Sequence, residues 1–278
     1  MARITSLNML LDTEGKDMLA EEYGKVIENI EKTAISGQLK NTDLSGTPTS
    51  GTVEAKRFVN ASSKAYGTAR AANKGDAVKA KPVTVSIDTD KEIIEEIEQK
   101  DVSLYGVDSV VSRRVANHGK SMTRELERAF FNEAATSGAT FTTTETAVNK
   151  KIEALIQQIE TTKNDYVDGV DRDMISVVLD TATYGEMREY LDSGKSNVET
   201  DVEAFGRYHG VRIYSSVYLP SDVKAIAMVD GSVAQPVLPT IQNPTKIQLS
   251  NAIGFGIFYS YGTKAVMPDL IAVMKASA

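Results

Sequence analysis

Any chemistry in this chain would have to come from a handful of short fragments. Gly119-Lys120-Ser121 and Gly194-Lys195-Ser196 each repeat the end of a phosphate-binding loop, where backbone amides curl round phosphate oxygens and a lysine meets the charge. That loop needs another glycine five residues upstream, and Arg114 and Glu189 stand there instead. Gly254-Phe255-Gly256 lacks the third glycine and the following helix of a dinucleotide site. His118 falls on an apolar stripe and His209 precedes Gly210 in a turn; without a Gly-x-Ser-x-Gly elbow, neither has a serine to activate. Ser221-x-x-Lys224 matches a hydrolase fragment without its companion motifs. Asp88 with Asp90, and Asp171 with Asp173, are spaced like metal-binding carboxylates but lack the glycine and terminal glutamate of a calcium loop. No catalytic, cofactor-binding or metal-ligating residue is assigned.

Composition narrows the field further. The chain has 278 residues, 41% of them hydrophobic, enough for one large or two modest domains. A net charge of −7 disfavours coating nucleic acid with the whole surface, while a local basic patch is compatible with it. The absence of cysteine removes disulfides, thiolate nucleophiles and sulfur-based zinc sites, and two histidines leave little for an imidazole-rich one. Met1 to Leu11 does not read as a signal peptide, and the apolar runs are far shorter than the roughly 18 residues of a membrane span, so a soluble, cytosolically made protein is expected.

The elements that would position functional groups follow from periodicity. Residues 14–35 predict a helix, with Met18, Leu19, Tyr23, Val26, Ile27, Ile30 and Ala34 on a narrow stripe. The turn-rich run Ser36 to Gly51 follows it, so this N-terminal segment is expected to be a separable arm whose stripe needs a partner surface. Thr52 to Asn60 and Pro82 to Asp88 alternate as strands, with Ala61 to Lys81 between them. That pattern predicts an extended β-hairpin finger, which is marginal in water unless another surface supports it. Between Glu54 and Pro82 the seven cations Lys56, Arg57, Lys64, Arg70, Lys74, Lys79 and Lys81 outnumber two carboxylates, a net of +5. From Ser86 to Asp101 the carboxylates Asp88, Asp90, Glu92, Glu95, Glu96, Glu98 and Asp101 outnumber two lysines, a net of −5. Copies set side by side would thus dock finger onto acidic neighbour, the charges setting register more than affinity.

Residues 90–100 predict a short acidic helix with Ile93, Ile94 and Ile97 inward. A long spine helix follows, its face traced by Val111, Val115, His118, Met122, Leu126 and Phe130 and stopped by Ser137-Gly138; some 25 residues make a rod of nearly 40 Å. Beyond a threonine-rich linker, helix at Val148 to Thr161, strand at Ile175 to Leu179, helix at Thr183 to Leu191 and strands at Val211 to Val217 and Val223 to Val229 form an α+β unit. Ile253 to Lys275 reads as strands returning to the body.

Several stretches carry a family resemblance: Val53 to Asn60 with Tyr66-Gly67 and Lys74-Gly75-Asp76; Pro82 to Asp88 leading into Lys91 to Tyr105; and Glu125 to Phe131. Tyr208 to Tyr214, Ser216, Leu219-Pro220 and Gly231 to Pro236 add to it. In this order the chain resembles the major capsid protein of tailed bacteriophages, whose shell fold encapsulin compartments share. The resemblance implies an α+β phage capsid shell fold: an N-terminal arm (1–50), an extended loop (51–88), a peripheral domain with the spine helix (89–145 and 255–278) and an axial domain (146–254). It implies a non-enzymatic subunit that self-assembles into hexamers and pentamers of an icosahedral shell around double-stranded DNA. A separate scaffold protein and a portal would be partners, with no membrane, and assembly in the host cytoplasm would place the chain in the virion. An encapsulin-type compartment enclosing a cargo enzyme is the alternative. Some family members cross-link an extended-loop lysine to a neighbour's asparagine; no motif here assigns that role to Lys56, Lys64, Lys74, Lys79 or Lys81.

Overall fold

The computed structural model describes residues 6–72, 74–193 and 206–276; Gly194-Lys195-Ser196 lies outside them. In chain order the N-terminal part contains α1 (Thr13–Thr33), α2 (Ile35–Leu39), β1 (Leu44–Ser45), β2 (Thr52–Phe58), α3 (Thr68–Ala72), β3 (Ala80–Ser86) and β4 (Thr89–Ile97). The middle contains α4 (Gln99–Tyr105), α5 (Val107–Ser137), β5 (Ala139–Phe141), α6 (Val148–Glu160), β6 (Ile175–Leu179) and α7 (Thr181–Ser193). Then come β7 (Arg207–Tyr208), β8 (Val211–Ser215), β9 (Val223–Val229), β10 (Val233–Ala234), β11 (Val237–Lys246), β12 (Ile253–Tyr261), β13 (Lys264–Ala265) and β14 (Ile271–Lys275).

The spine, α5, runs for 31 residues, or roughly 46 Å, and joins two cores. Gly106, at φ +80°, turns the chain from α4 into it, a conformation glycine adopts without steric cost. The first half of α5 buries Val111, Val115 and Met122 against an antiparallel sheet ordered β11-β12-β4, where Phe255, Ile257 and Tyr259 close the layer. The last turns bury Phe130, Phe131 and Ala134 against one face of a six-stranded sheet ordered β5-β14-β9-β6-β8-β7. Helices α6 and α7 cover its other face through Ile152, Leu155, Ile159 and Met187. Strand β6 is buried at every position, as a strand covered on both faces must be.

Two expectations are corrected. Residues 90–100 do not form a helix: β4 occupies Thr89–Ile97, and the helix begins only at Gln99, where Glu98 and Asp101 form a capping box. Isoleucines at 93 and 97 fit either period, and the nine-residue ladder with β12 favours extended backbone for these β-branched residues, at the expense of Ile94. Lys91, Ile93, Glu95 and Ile97 therefore face the spine. Asp90, Glu92, Ile94 and Glu96 face outward, leaving Ile94 48% exposed.

The N-terminal segment is not a free arm either. Leu19, Tyr23 and Ile30 of α1 are buried on α5, and a Cβ at Gly119 would stand 2.3 Å from Val26 Cγ1, so the glycine is what lets the helices close. Glu127 of α5 also accepts the Ile35 amide at 2.7 Å, holding the start of α2.

Strand pairing also cuts across the sequence grouping. Strands β5 and β14, from the stretch grouped with the spine, pair into the six-stranded sheet, whereas β11 pairs with β12.

Candidate assembly interface

Strands β2 and β3 pair antiparallel from Thr52↔Ser86 to Phe58↔Ala80, with β1 on the outer edge of β2. Period-two alternation puts Val53, Ala55 and Val85 on one face, where they pack on Ala234 and Val266 of the body. A clamp closes above this contact. Arg57 reaches both carboxylate oxygens of Asp269, with Nη2 donating to Oδ2 at 2.7 Å, and its guanidinium lies 4.3 Å from the centre of the Tyr166 ring. Asn164 donates to the same Oδ2 at 2.6 Å, and the Asn60 amide donates to the Asp165 carbonyl at 3.0 Å. Burial works to raise the Asp269 pKa, but the bonds from Arg57 and Asn164 outweigh it and hold the carboxyl below its ordinary value.

Past Asn60 the ribbon leaves the body. Among the described residues, every one from 60 to 82 is exposed. The hydrogen bonds of the tip, including Lys64 to Asp76 at 2.6 Å, stay within it. Phe58, Tyr66 and Val78 are 56%, 97% and 84% exposed. Three large apolar side chains of the ribbon are thus open to solvent in the single chain.

The basic set therefore divides. Lys56, Lys64, Arg70, Lys74, Lys79 and Lys81 are exposed along the ribbon, whereas Arg57 is committed to Asp269 within the chain. The acidic set divides too. Asp88, Glu92 and Glu96 are exposed; Asp90, also exposed, accepts a bond from Ser260 at 2.6 Å. Glu98 contacts Lys100 at 2.6 Å while capping α4. Glu95 points inward, where Arg114 Nε donates to it at 2.6 Å, and it stands below its ordinary pKa chiefly through that bond. Tyr166, Asn164 and Asp269 escaped sequence reasoning, because more than 100 residues separate the last two from Arg57 and no local pattern links them.

The fragments considered for catalysis are engaged elsewhere. His118 is buried against Tyr23, and Lys224 binds Asp180 at 2.9 Å. His209 sits in a turn at φ +47°, 3.2 Å from Glu153. Among the described residues, no three metal-ligating side chains converge, and no helix is long and apolar enough to cross a membrane.

A long helix bridging a small antiparallel sheet and a helix-covered mixed sheet, with a projecting β-ribbon, is the shell fold of phage capsid structures. A chain of Mycobacterium phage Che8 matches with a TM-score of 0.59 at 16% identity, over 81% of this chain and 84% of that one. A chain in the capsid of cyanophage P-SCSP1u matches at 0.59 and 15% identity, over 88% of each. A virus-like particle from Pyrococcus furiosus matches at 0.55 and 11% identity, over 93% of this chain and 96% of that one. No family model and no curated protein matches the sequence.

Proposed function

We propose that this chain is the structural subunit of a viral shell and not an enzyme. In this reading, copies self-assemble into hexamers and pentamers of an icosahedral container around double-stranded DNA, with a separate scaffold protein and a portal, inside the host cytoplasm. One observation carries the reading: past Asn60 the ribbon finds no support in its own chain, and with Phe58 at the end of β2 it displays Tyr66 and Val78 among lysines. A two-stranded ribbon of this kind needs a further surface. The neighbour's β4 offers complementary chemistry, with Asp90, Glu92 and Glu96 flanking exposed Ile94. The fold shared with the phage capsid chains supports the same conclusion.

A container for protein cargo is the second reading, left open by the resemblance to encapsulin compartments, and the likeness over 93% of the chain to a virus-like particle from Pyrococcus furiosus is compatible with either shell. Negative-stain microscopy of the purified chain, alone and with its scaffold, tests both. Closed shells or capsomer rings are expected, copurifying DNA or copurifying protein separates the readings, and a monodisperse monomer under all conditions overturns them. Replacing residues 60–78 by Asn-Gly gives β2 and β3 a tight hairpin turn and removes the tip. The body is expected to fold with assembly lost; shells of normal yield would exclude the ribbon as the contact.

A further inference from the structure

One flank of the spine helix is left unused by the ribbon. Beyond Asp108 in its first turn, every carboxylate of α5 is drawn to an inner side. Glu125 meets Lys91 and the Tyr261 hydroxyl, both at 3.1 Å. Glu127 accepts the Ile35 amide at 2.7 Å, and Glu133 accepts the Ala265 amide at 2.9 Å. Apart from Arg114, which pairs with Glu95, three cations behave oppositely. Lys120, Arg124 and Arg128 are exposed at four-residue steps, about 6 Å apart along the helix. Among the described residues none of the three is in an ion pair, although Arg128 acts on Glu125 at longer range. Arg128 is steadied 5.9 Å from the centre of the Tyr218 ring, and Arg124 Nη2 lies 3.4 Å from Ser121 Oγ. Arg113 and Asn117, both exposed, continue the row towards the helix start.

We propose that this ridge tracks the phosphate backbone of nucleic acid. The helix side chains along it are Asn117, Lys120, Ser121, Arg124 and Arg128, all polar, with the Tyr218 ring beside Arg128. A peptide held by apolar anchors would find none among these helix side chains, and an acidic peptide is the competitor tested below. A duplex carries a charge about every 1.7 Å of its axis, so a row of cations at roughly 6 Å steps meets phosphates in any sequence. Three cations give weak binding per copy, and repetition over many copies makes it additive. Outside the ridge and the basic ribbon the chain is net negative, which disfavours contact there, and the ribbon is the cationic control in the test below. The same placement gives Gly119-Lys120-Ser121 a meaning other than a phosphate loop. Gly119 admits α1, and Lys120, the next residue, turns to solvent.

This inference rests on the shell reading only for the source of the polymer, and its test is independent of assembly. Anisotropy of a fluorescein-labelled DNA duplex is followed with the full-length chain over a series of salt concentrations. Wild type is expected to bind at low salt. The Lys120→Gln/Arg124→Gln/Arg128→Gln variant should lose affinity, its salt slope falling by about 0.9 per charge removed. The ribbon variant Lys74→Gln/Lys79→Gln/Lys81→Gln should keep the wild-type slope. No binding by wild type, an unchanged slope in the ridge variant, or an equal fall in the ribbon variant would overturn the proposal. So would tighter binding of a synthetic acidic helical peptide that displaces the duplex from the ridge, since that identifies a protein partner. Microscopy of the ridge variant keeps the two readings apart. Normal shells that no longer bind the duplex support the ridge, and normal shells with unchanged binding remove the ridge alone.

Discussion

The Tyr23 hydroxyl lies 2.7 Å from Nδ1 of His118, a buried polar contact that fastens the first helix to the spine. The imidazole is stacked between the Tyr23 and Phe255 rings, with centroids at 6.0 and 5.7 Å. Glu95 Oε2 stands 3.1 Å from Nε2, near enough for a charge contact but off the line of a straight hydrogen bond. Burial pushes the Tyr23 phenol well above its ordinary pKa, so it stays protonated and donates to Nδ1. The Glu95 carboxylate beside Nε2 favours the proton of neutral His118 on that nitrogen, which leaves Nδ1 to accept from Tyr23.

Tyr23→Phe keeps the ring and removes the donor. Leaving Nδ1 buried without a partner costs about 1–3 kcal/mol. Urea unfolding should show a lower midpoint with an unchanged slope, and an unchanged midpoint would deny the bond a stabilising role.

Stability should also fall on mild acidification. Burial is the largest influence on His118 and lowers its pKa below the ordinary 6.5; Glu95 opposes this from β4 and Arg114 assists it from α5. The unfolded chain thus binds more protons below about pH 6.5, and stability is lost from there down to the folded-state pKa. The depressed carboxylates Glu95, Glu125 and Glu153 give up their contributions only as pH falls below about 4.5. Glu127, raised by burial, works in the opposite sense just above that value. Unfolding midpoints measured down from neutrality should fall in wild type and flatten in His118→Gln. An equal fall in both would assign the effect to another group.

Gly119→Ala places a methyl group against Val26 Cγ1 and should destabilise the chain by about 1–3 kcal/mol despite the better helix propensity of alanine. Adding Val26→Ala makes room, so the double variant should recover part of the loss. Thermal unfolding of the two single variants and the double closes the cycle; strict additivity would mean that the two residues do not meet.

Asp269→Asn removes the charge that Arg57 and Asn164 share at the ribbon root. A loss on the order of 1 kcal/mol is expected for this partly exposed pair. Hydrogen exchange should quicken in residues 52–58 and 80–86 and stay unchanged in the six-stranded sheet. Faster exchange across the whole chain would instead make Asp269 part of the global core.

Local pattern alone determined the elements whose period was unambiguous. The spine, α1, α6, α7 and the strands at 175–179 and 223–229 lie where their apolar spacing put them, because burying a stripe or a face requires that spacing. The ribbon was legible for the same reason, and so was the mixed α+β character. Tertiary structure decided what spacing leaves open. Ile93 and Ile97 satisfy both periods, and only the ladder with β12 made the segment a strand and turned Ile94 outward. The stripe of α1 reads identically whether sister molecules or its own spine cover it, and Gly119 settled that by letting Val26 approach. Arg57 looked like one more cation of the ribbon until the fold brought Asp269, 212 residues away, beneath it. Short-range periodicity records which faces are buried, whereas the partner of each face is set by chain crossings that no local window contains.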